Sequence, residues 1–164
     1  MMALPLCVFF VSPLAGRLHD RIGARIIATS GLAICFIALL LLTGISIDSS
    51  PVTIALLLAL LGSGQAMFLS PNSAAALAGV NHEQAGITSS LLATARNMGM
   101  LTGTALAGLL FSLSFSRLTG GLDMKDFTPQ LAPQFMTALQ SSFKIAALIA
   151  AIGMVVSWWR GKSH

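Results

Sequence analysis

The chain has 164 residues, of which 55% are hydrophobic and only 9% are charged, and its mean hydropathy is +0.87. A soluble domain carries about a quarter charged residues, so this composition excludes a soluble globular protein and indicates an integral membrane protein. The net charge of +4 comes from basic residues spread over short loops, which form no patch or stripe for nucleic acid.

Apolar segments alternate with short polar loops along the whole sequence. A spanning helix needs about 20 apolar residues at about 1.5 Å each. The predicted helices, in chain order, cover residues 1–15, 26–47, 52–71, 86–115 and 134–159. The first is too short for a complete span, and we expect it to be the end of a truncated helix. The sequence thus predicts one all-α, polytopic membrane domain over residues 1–164, with about five transmembrane helices.

Lysines and arginines in the loops predict an orientation. The loop at residues 16–25 carries three arginines, and Arg160 and Lys162 follow the last helix. With five helices these two segments share one side, which the positive-inside rule makes cytoplasmic. We therefore predict a multi-pass protein of the inner (plasma) membrane, with the loop at 16–25 and the C-terminus in the cytoplasm. An external N-terminus without a translocation signal further indicates a missing N-terminal part.

The loop at residues 16–25 reads Gly-Arg-Leu-His-Asp-Arg-Ile-Gly-Ala-Arg. It resembles the signature loop of the major facilitator superfamily, with matches at Gly16, Leu18, Asp20, Arg21, Gly23 and Arg25. Ala24 departs from the pattern, where a further basic residue is usual. The resemblance implies a cytoplasmic gating loop between the two halves of a transporter. The alternative is a plain basic hairpin between two helices.

The later segments are similar to the last helices of fourteen-helix drug:proton antiporters within that superfamily. The similar segments are Ser70-Pro71-Asn72, Gly86-Ile87-Thr88-Ser89 and Ala95-Arg96-Asn97-Met98-Gly99. The resemblance implies the C-terminal portion of a proton-coupled exporter of drugs or other hydrophobic compounds. It implies three partners: the lipid bilayer, the missing N-terminal half of the transporter and a small hydrophobic substrate. The expected energy source is a proton gradient, with no bound cofactor.

Arg96 is the one charged residue well inside a predicted span, about 15 Å along its helix from Gly86. A guanidinium at that depth is costly unless it faces a wet cavity or a partner, so Arg96 is a candidate for the substrate cavity. The alternative is a structural arginine that bonds to backbone carbonyls. Gln65 and Asn72 are further cavity candidates, although helix packing or capping is the more common use of such amides.

Small residues at Gly99, Gly103 and Ala107 recur every four positions and predict a face on which another helix packs closely. The sequence contains no metal-binding cluster, phosphate loop or nucleophile arrangement, so we expect neither an enzyme nor a metal protein. Two alternatives to a drug exporter stay open. One is a major facilitator permease for another small solute, and the other is a small helical membrane subunit without transport activity.

Overall fold

The computed structural model describes residues 24–81 and 83–159, and the side chains from residue 26 onward within those ranges. These residues form four α-helices: α1 (Ala24–Leu42), α2 (Pro51–Ala78), α3 (Ala85–Leu118) and α4 (Ala132–Trp159). Two short 3-10 helices, Met124–Asp126 and Pro129–Leu131, lie between α3 and α4, and the described ranges contain no strand. The predicted helix at residues 1–15 lies outside the described residues.

Three helical segments are long and apolar enough to cross a membrane, namely Pro51–Ala78, Ala85–Leu118 and Pro129–Trp159. A shorter apolar helix, Ile26–Leu42, precedes them. The all-α membrane fold class predicted from the sequence is therefore confirmed. The number of five transmembrane helices stays a prediction.

The first described helix, α1, ends at Leu42, although the sequence predicted a helix up to residue 47. The chain turns at Thr43 and Gly44, and the Thr43 hydroxyl donates to the Leu40 carbonyl at 2.7 Å. Ser50 then caps α2 by accepting a hydrogen bond from the backbone N–H of Val52 at 3.3 Å. Pro51 follows at the first helical position, where its missing N–H costs nothing.

The prediction that Pro71 ends the second helix is wrong. Pro71 lies inside α2, which continues to Ala78. Proline is tolerated within membrane helices because neighbouring groups satisfy the carbonyl that it leaves without a donor. The side chain of Pro71 is fully buried, so packing against its neighbours holds the helix together there. The extra turns after Pro71 carry Asn72 and Ser73, which both matter for the site.

Helix α1 lies between α2 and α4 and runs antiparallel to both. Against α2, Gly31 approaches Gly64 so closely that a methyl group on Gly31 would lie 2.7 Å from the Gly64 carbonyl oxygen. Against α4, the hydroxyls of Thr29 and Ser157 are 3.1 Å apart. Close backbone approach through small residues and interhelical hydrogen bonds are the usual means of packing helices in lipid.

Helices α3 and α4 pack against each other at one end of the bundle, in a cluster of four phenylalanines of which one, Phe127, lies in the connection between them. Phe111 stacks on Phe115 with a centroid distance of 6.3 Å, and Phe135 meets Phe111 edge-on at 5.1 Å and Phe127 at 5.6 Å. Phe115 is completely buried. We call this the Phe127 end of the bundle, and the opposite end, where α1 and α3 begin and α2 and α4 finish, the Trp159 end.

Candidate functional site

Arg96 lies on α3, eleven residues after Ala85. At about 1.5 Å per residue this places it about 16 Å along the helix, which would be near the middle of a hydrocarbon core about 30 Å thick if α3 enters the core at Ala85. Its Nη2 donates a hydrogen bond to the Ser73 hydroxyl of α2 at 3.0 Å, and the side chain is otherwise exposed. A guanidinium carries five N–H donors, and this contact uses one of them.

The face of α3 around Arg96 is open in the described part of the chain. Met100, one turn further along the same face, is 64% exposed. No atom lies within 4 Å of the positions that a Cβ would take at Gly99 and Gly103. Much of α3 on the Trp159 side of the phenylalanine cluster thus has no packed neighbour among the described residues, and Arg96 projects from this open region.

None of the described helices packs against Gly99, Gly103 or Ala107. The packing face predicted at these residues would need a helix from outside the described ranges, so it stays a prediction. The close helix contact that they do make, between Gly31 and Gly64, was missed from the sequence. A signal for it existed. On α1 the small residues Ala28, Gly31, Cys35 and Ala38 recur at three- and four-residue spacing, and all four are buried.

The other cavity candidates lie on α2. Asn72 is half-buried and lines a cleft between α1, α2 and α4, and it directly precedes Ser73, the partner of Arg96. Gln65 is exposed and precedes Ser73 by eight residues, or about 12 Å along the helix. Asn72 therefore faces this cleft, whereas the adjacent Ser73 contacts Arg96, and Gln65 lies further along α2 towards the Phe127 end.

Most residues of the predicted gating loop, Gly16, Asp20, Arg21 and Gly23, lie outside the described residues. Arg25 is placed only by its backbone, in the first turn of α1. The gating role of the loop therefore stays a prediction.

Acidic groups are absent from the four described α-helices. In the described ranges the carboxylates are Asp48, Glu83, Asp123 and Asp126, which lie in the connections between those helices. No group of three or more His, Cys, Asp or Glu side chains in the described ranges could hold a metal ion. The candidate site is therefore a cation beside a hydroxyl of the neighbouring helix. The prediction that Arg96 is the one charged residue inside a span is wrong, because the exposed Lys144 lies twelve residues into α4.

A sequence model of the Major Facilitator Superfamily matches residues 1–164. The chain belongs to the major facilitator superfamily. Its membership and its long apolar helices together make it a membrane protein of a transporter family. No solved structure matches the chain.

Several curated proteins of this superfamily are similar to the chain. It is 31% identical over 153 residues to the riboflavin transporter RibZ of Clostridioides difficile, covering 93% of the chain and 32% of RibZ. It is 37% identical over 110 residues to the multidrug resistance protein Stp of Mycobacterium tuberculosis, covering 66% of the chain and 20% of Stp. The lincomycin resistance protein LmrB of Listeria monocytogenes is 25% identical over 150 residues, covering 90% of the chain and 31% of LmrB.

The major facilitator chain spans about a third or less of the length of these curated relatives. The matched regions make up only 20–32% of these relatives, so each relative contains many residues that have no counterpart in this chain.

Proposed function

We propose that the complete protein is a proton-driven exporter of drugs or other small hydrophobic compounds, and that this chain forms part of its C-terminal helical bundle. The support comes from family membership and from relatives named for multidrug, lincomycin and methyl viologen resistance. Transporters of this kind bind substrate near the bilayer midplane, between repeated halves. We expect no enzymatic activity from the protein.

The observation that carries the proposal is the position of Arg96. A charged side chain at the centre of a membrane helix costs about 2.5–3.5 kcal/mol or more unless it reaches water or a partner. The contact with the neutral Ser73 hydroxyl satisfies one donor and neutralises no charge. We therefore place Arg96 on the wet transport path, where it contacts an electron-rich group of the substrate or a carboxylate from another part of the transporter.

Proton coupling requires a titratable group that is exposed alternately to the two sides of the membrane. Because the described α-helices contain no Asp or Glu, we propose that the proton-carrying acid lies outside them. We also propose that the Trp159 end is cytoplasmic, because basic residues flank it in the sequence at Arg25 and Arg160.

Replacement of Arg96 tests the proposed site. We expect Arg96→Ala in the complete protein to lower the export rate by about tenfold or more, the size expected when a hydrogen bond to a charged group is lost. Arg117→Ala is the matched control, because Arg117 is an exposed arginine in the last turn of the same helix. Efflux of fluorescent drugs from loaded cells is the readout, normalised to transporter in the membrane. Full export by normally inserted Arg96→Ala would remove Arg96 from the transport path.

A second candidate function is the transport of riboflavin or another small solute, favoured by the similarity to RibZ over 93% of the chain. Measuring riboflavin and hydrophobic drugs in the same cells separates the two functions. Movement of riboflavin without drug export would favour the second.

A further inference from the structure

An open cleft of about 530 Å³ lies between α1, α2 and α4. Its walls are the apolar side chains of Leu32, Phe68 and Val156. The volume falls within the range of about 300–1,000 Å³ that is typical of ligand sites. The cleft is separate from the open face of α3, because no residue of that helix lines it.

The cleft is about as deep as one leaflet of a bilayer. Leu32 lies eight residues from the start of α1, and Phe68 lies ten residues from the end of α2. At about 1.5 Å per residue these positions are about 12 and 15 Å from the Trp159 end, against about 15 Å for half of the hydrocarbon core. If the Trp159 end lies at the edge of the hydrocarbon core, an apolar chain entering from the membrane surface would reach the deepest wall of the cleft near the bilayer midplane.

The shallower lining residues, nearer the Trp159 end, include polar groups. Ser157 lines the cleft and shares one O–H···O hydrogen bond with Thr29 at 3.1 Å. Two hydroxyls carry two protons, so this pair retains a second O–H that can donate to a ligand oxygen. Trp159 lines the mouth and is 82% exposed, as is usual for tryptophan at the headgroup level.

The sequence beside this mouth is basic. Arg160 directly follows Trp159, and Arg25 occupies the first turn of α1 at the same end of the bundle. Basic residues near the membrane surface attract anionic lipids, by about 1 kcal/mol for each charge. A ligand that fits the cleft therefore has an apolar chain one leaflet long and a negatively charged head.

We propose that this cleft binds an anionic membrane phospholipid, with one acyl chain between Leu32, Phe68 and Val156 and the headgroup at Ser157 and Trp159. The lipid would fill the space between α1, α2 and α4 where the helices diverge. The site uses neither Arg96 nor the open face of α3, and of the substrate-cavity candidates only Asn72 also lines the cleft.

Photolabelling with a defined lipid tests the proposal. The complete protein is reconstituted in phosphatidylcholine vesicles with a trace of phosphatidylglycerol that carries a diazirine on its acyl chain. After irradiation, the labelled residues are identified by mass spectrometry. We expect adducts on α2 near Phe68 and on α4 between Gly153 and Trp159. The same diazirine chain on phosphatidylcholine should label these positions several-fold less, because it lacks the negative charge.

Two neighbouring valines give a matched pair of variants. Val156 lines the cleft and is 64% exposed, whereas Val155 does not line it and is 51% exposed. Val156→Phe should lower labelling on the order of tenfold, because excluding two methylenes of the chain already removes that factor. Val155→Phe adds the same atoms outside the cleft and should change labelling by less than about twofold.

Gly153→Leu is a second cleft variant, in case Val156→Phe perturbs the protein. A Cβ at Gly153 would make ordinary contacts, 3.7–3.9 Å from the methyl groups of Leu32, so a larger side chain extends into the cleft. Equal labelling of the cleft variants and Val155→Phe would overturn the acyl-chain site. Equal labelling by the two headgroups would overturn the anionic assignment.

Discussion

Replacing Gly31 with alanine should push α1 and α2 apart and destabilise the bundle. The new Cβ would lie 2.7 Å from the Gly64 carbonyl oxygen and 2.8 Å from the Phe68 nitrogen, whereas ordinary contacts begin at 3.4 Å. Both neighbours are backbone atoms, which cannot rotate away as a side chain can. The two helices must therefore separate by about 0.7 Å at this point.

The size of the effect follows from two opposing contributions. A gap of about 0.5–1 Å removes a quarter to a half of the dispersion attraction across a contact, and overpacking of this kind costs about 1–3 kcal/mol. Alanine recovers up to about 1 kcal/mol because it is the better helix former. We therefore expect a net loss of roughly 1–2 kcal/mol, which lowers the unfolding temperature by roughly 2–8 °C.

Cys35 provides the readout for this experiment. Its thiol is buried, and its Sγ lies 3.7 Å from the Leu61 carbonyl oxygen of α2, so a thiol-reactive fluorophore reaches it only when α1 and α2 come apart. The complete protein would be heated with the fluorophore, with Cys7 and any other cysteine replaced by serine.

Gly86→Ala is the control, because no atom lies within 4 Å of its added methyl group, and its unfolding temperature should stay near that of the parent. An unchanged or higher unfolding temperature for Gly31→Ala would refute the argument that the backbones touch at Gly31 and Gly64.

Two further predictions use the same thermal assay. Gln140 donates a hydrogen bond to the Ile45 carbonyl oxygen at 2.8 Å. Gln140→Leu should therefore lower the free energy of unfolding by about 1–2 kcal/mol, because it leaves that carbonyl unpaired. Gln134→Leu is the control and should be neutral or stabilising, because the buried Gln134 Oε1 has no partner in the structure. Equal effects at the two glutamines would contradict this. Phe115→Ala should cost about 3–5 kcal/mol, because Phe115 is fully buried in the phenylalanine cluster, whereas Leu113→Ala at a half-exposed site should cost much less. A small loss for Phe115→Ala would show that Phe115 contributes little to the packing of this cluster.

Hydrophobicity was enough to predict the fold class and the approximate position of each described helix. The beginning of α2 was readable because Ser50 and Pro51 are typical of a helix start. Its end was not, because a proline stops a helix in water but is tolerated where neighbouring helices bury it. That single error at Pro71 placed Ser73 in a loop and hid the partner of Arg96.

Helix contacts were harder to predict than helices. Both α1, with Gly31, and α3, with Gly99 and Gly103, present small residues at suitable spacing, and spacing alone cannot say which face meets a neighbour. The position of Arg96 along its helix was predictable because it depends on one helix alone. Its hydrogen bond to Ser73 depends on how α2 and α3 are placed relative to each other. The residue pattern of a single helix carries no information on that placement.

Within the described ranges, α3 packs more extensively against α4 than against α2, so a tilt about the phenylalanine cluster would move the opposite end of α3 furthest. Phe115, in this cluster, lies about 28 Å along the helix axis from Arg96 and about 45 Å from Ala85, the first residue of α3. A tilt of about 5° at the phenylalanine cluster would move Ala85 by about 4 Å and Arg96 by about 2.5 Å along an arc. The second displacement is enough to break the 3.0 Å hydrogen bond to Ser73. A small rotation of α3 at the Phe127 end would thus free the Arg96 guanidinium from Ser73, deeper in the membrane.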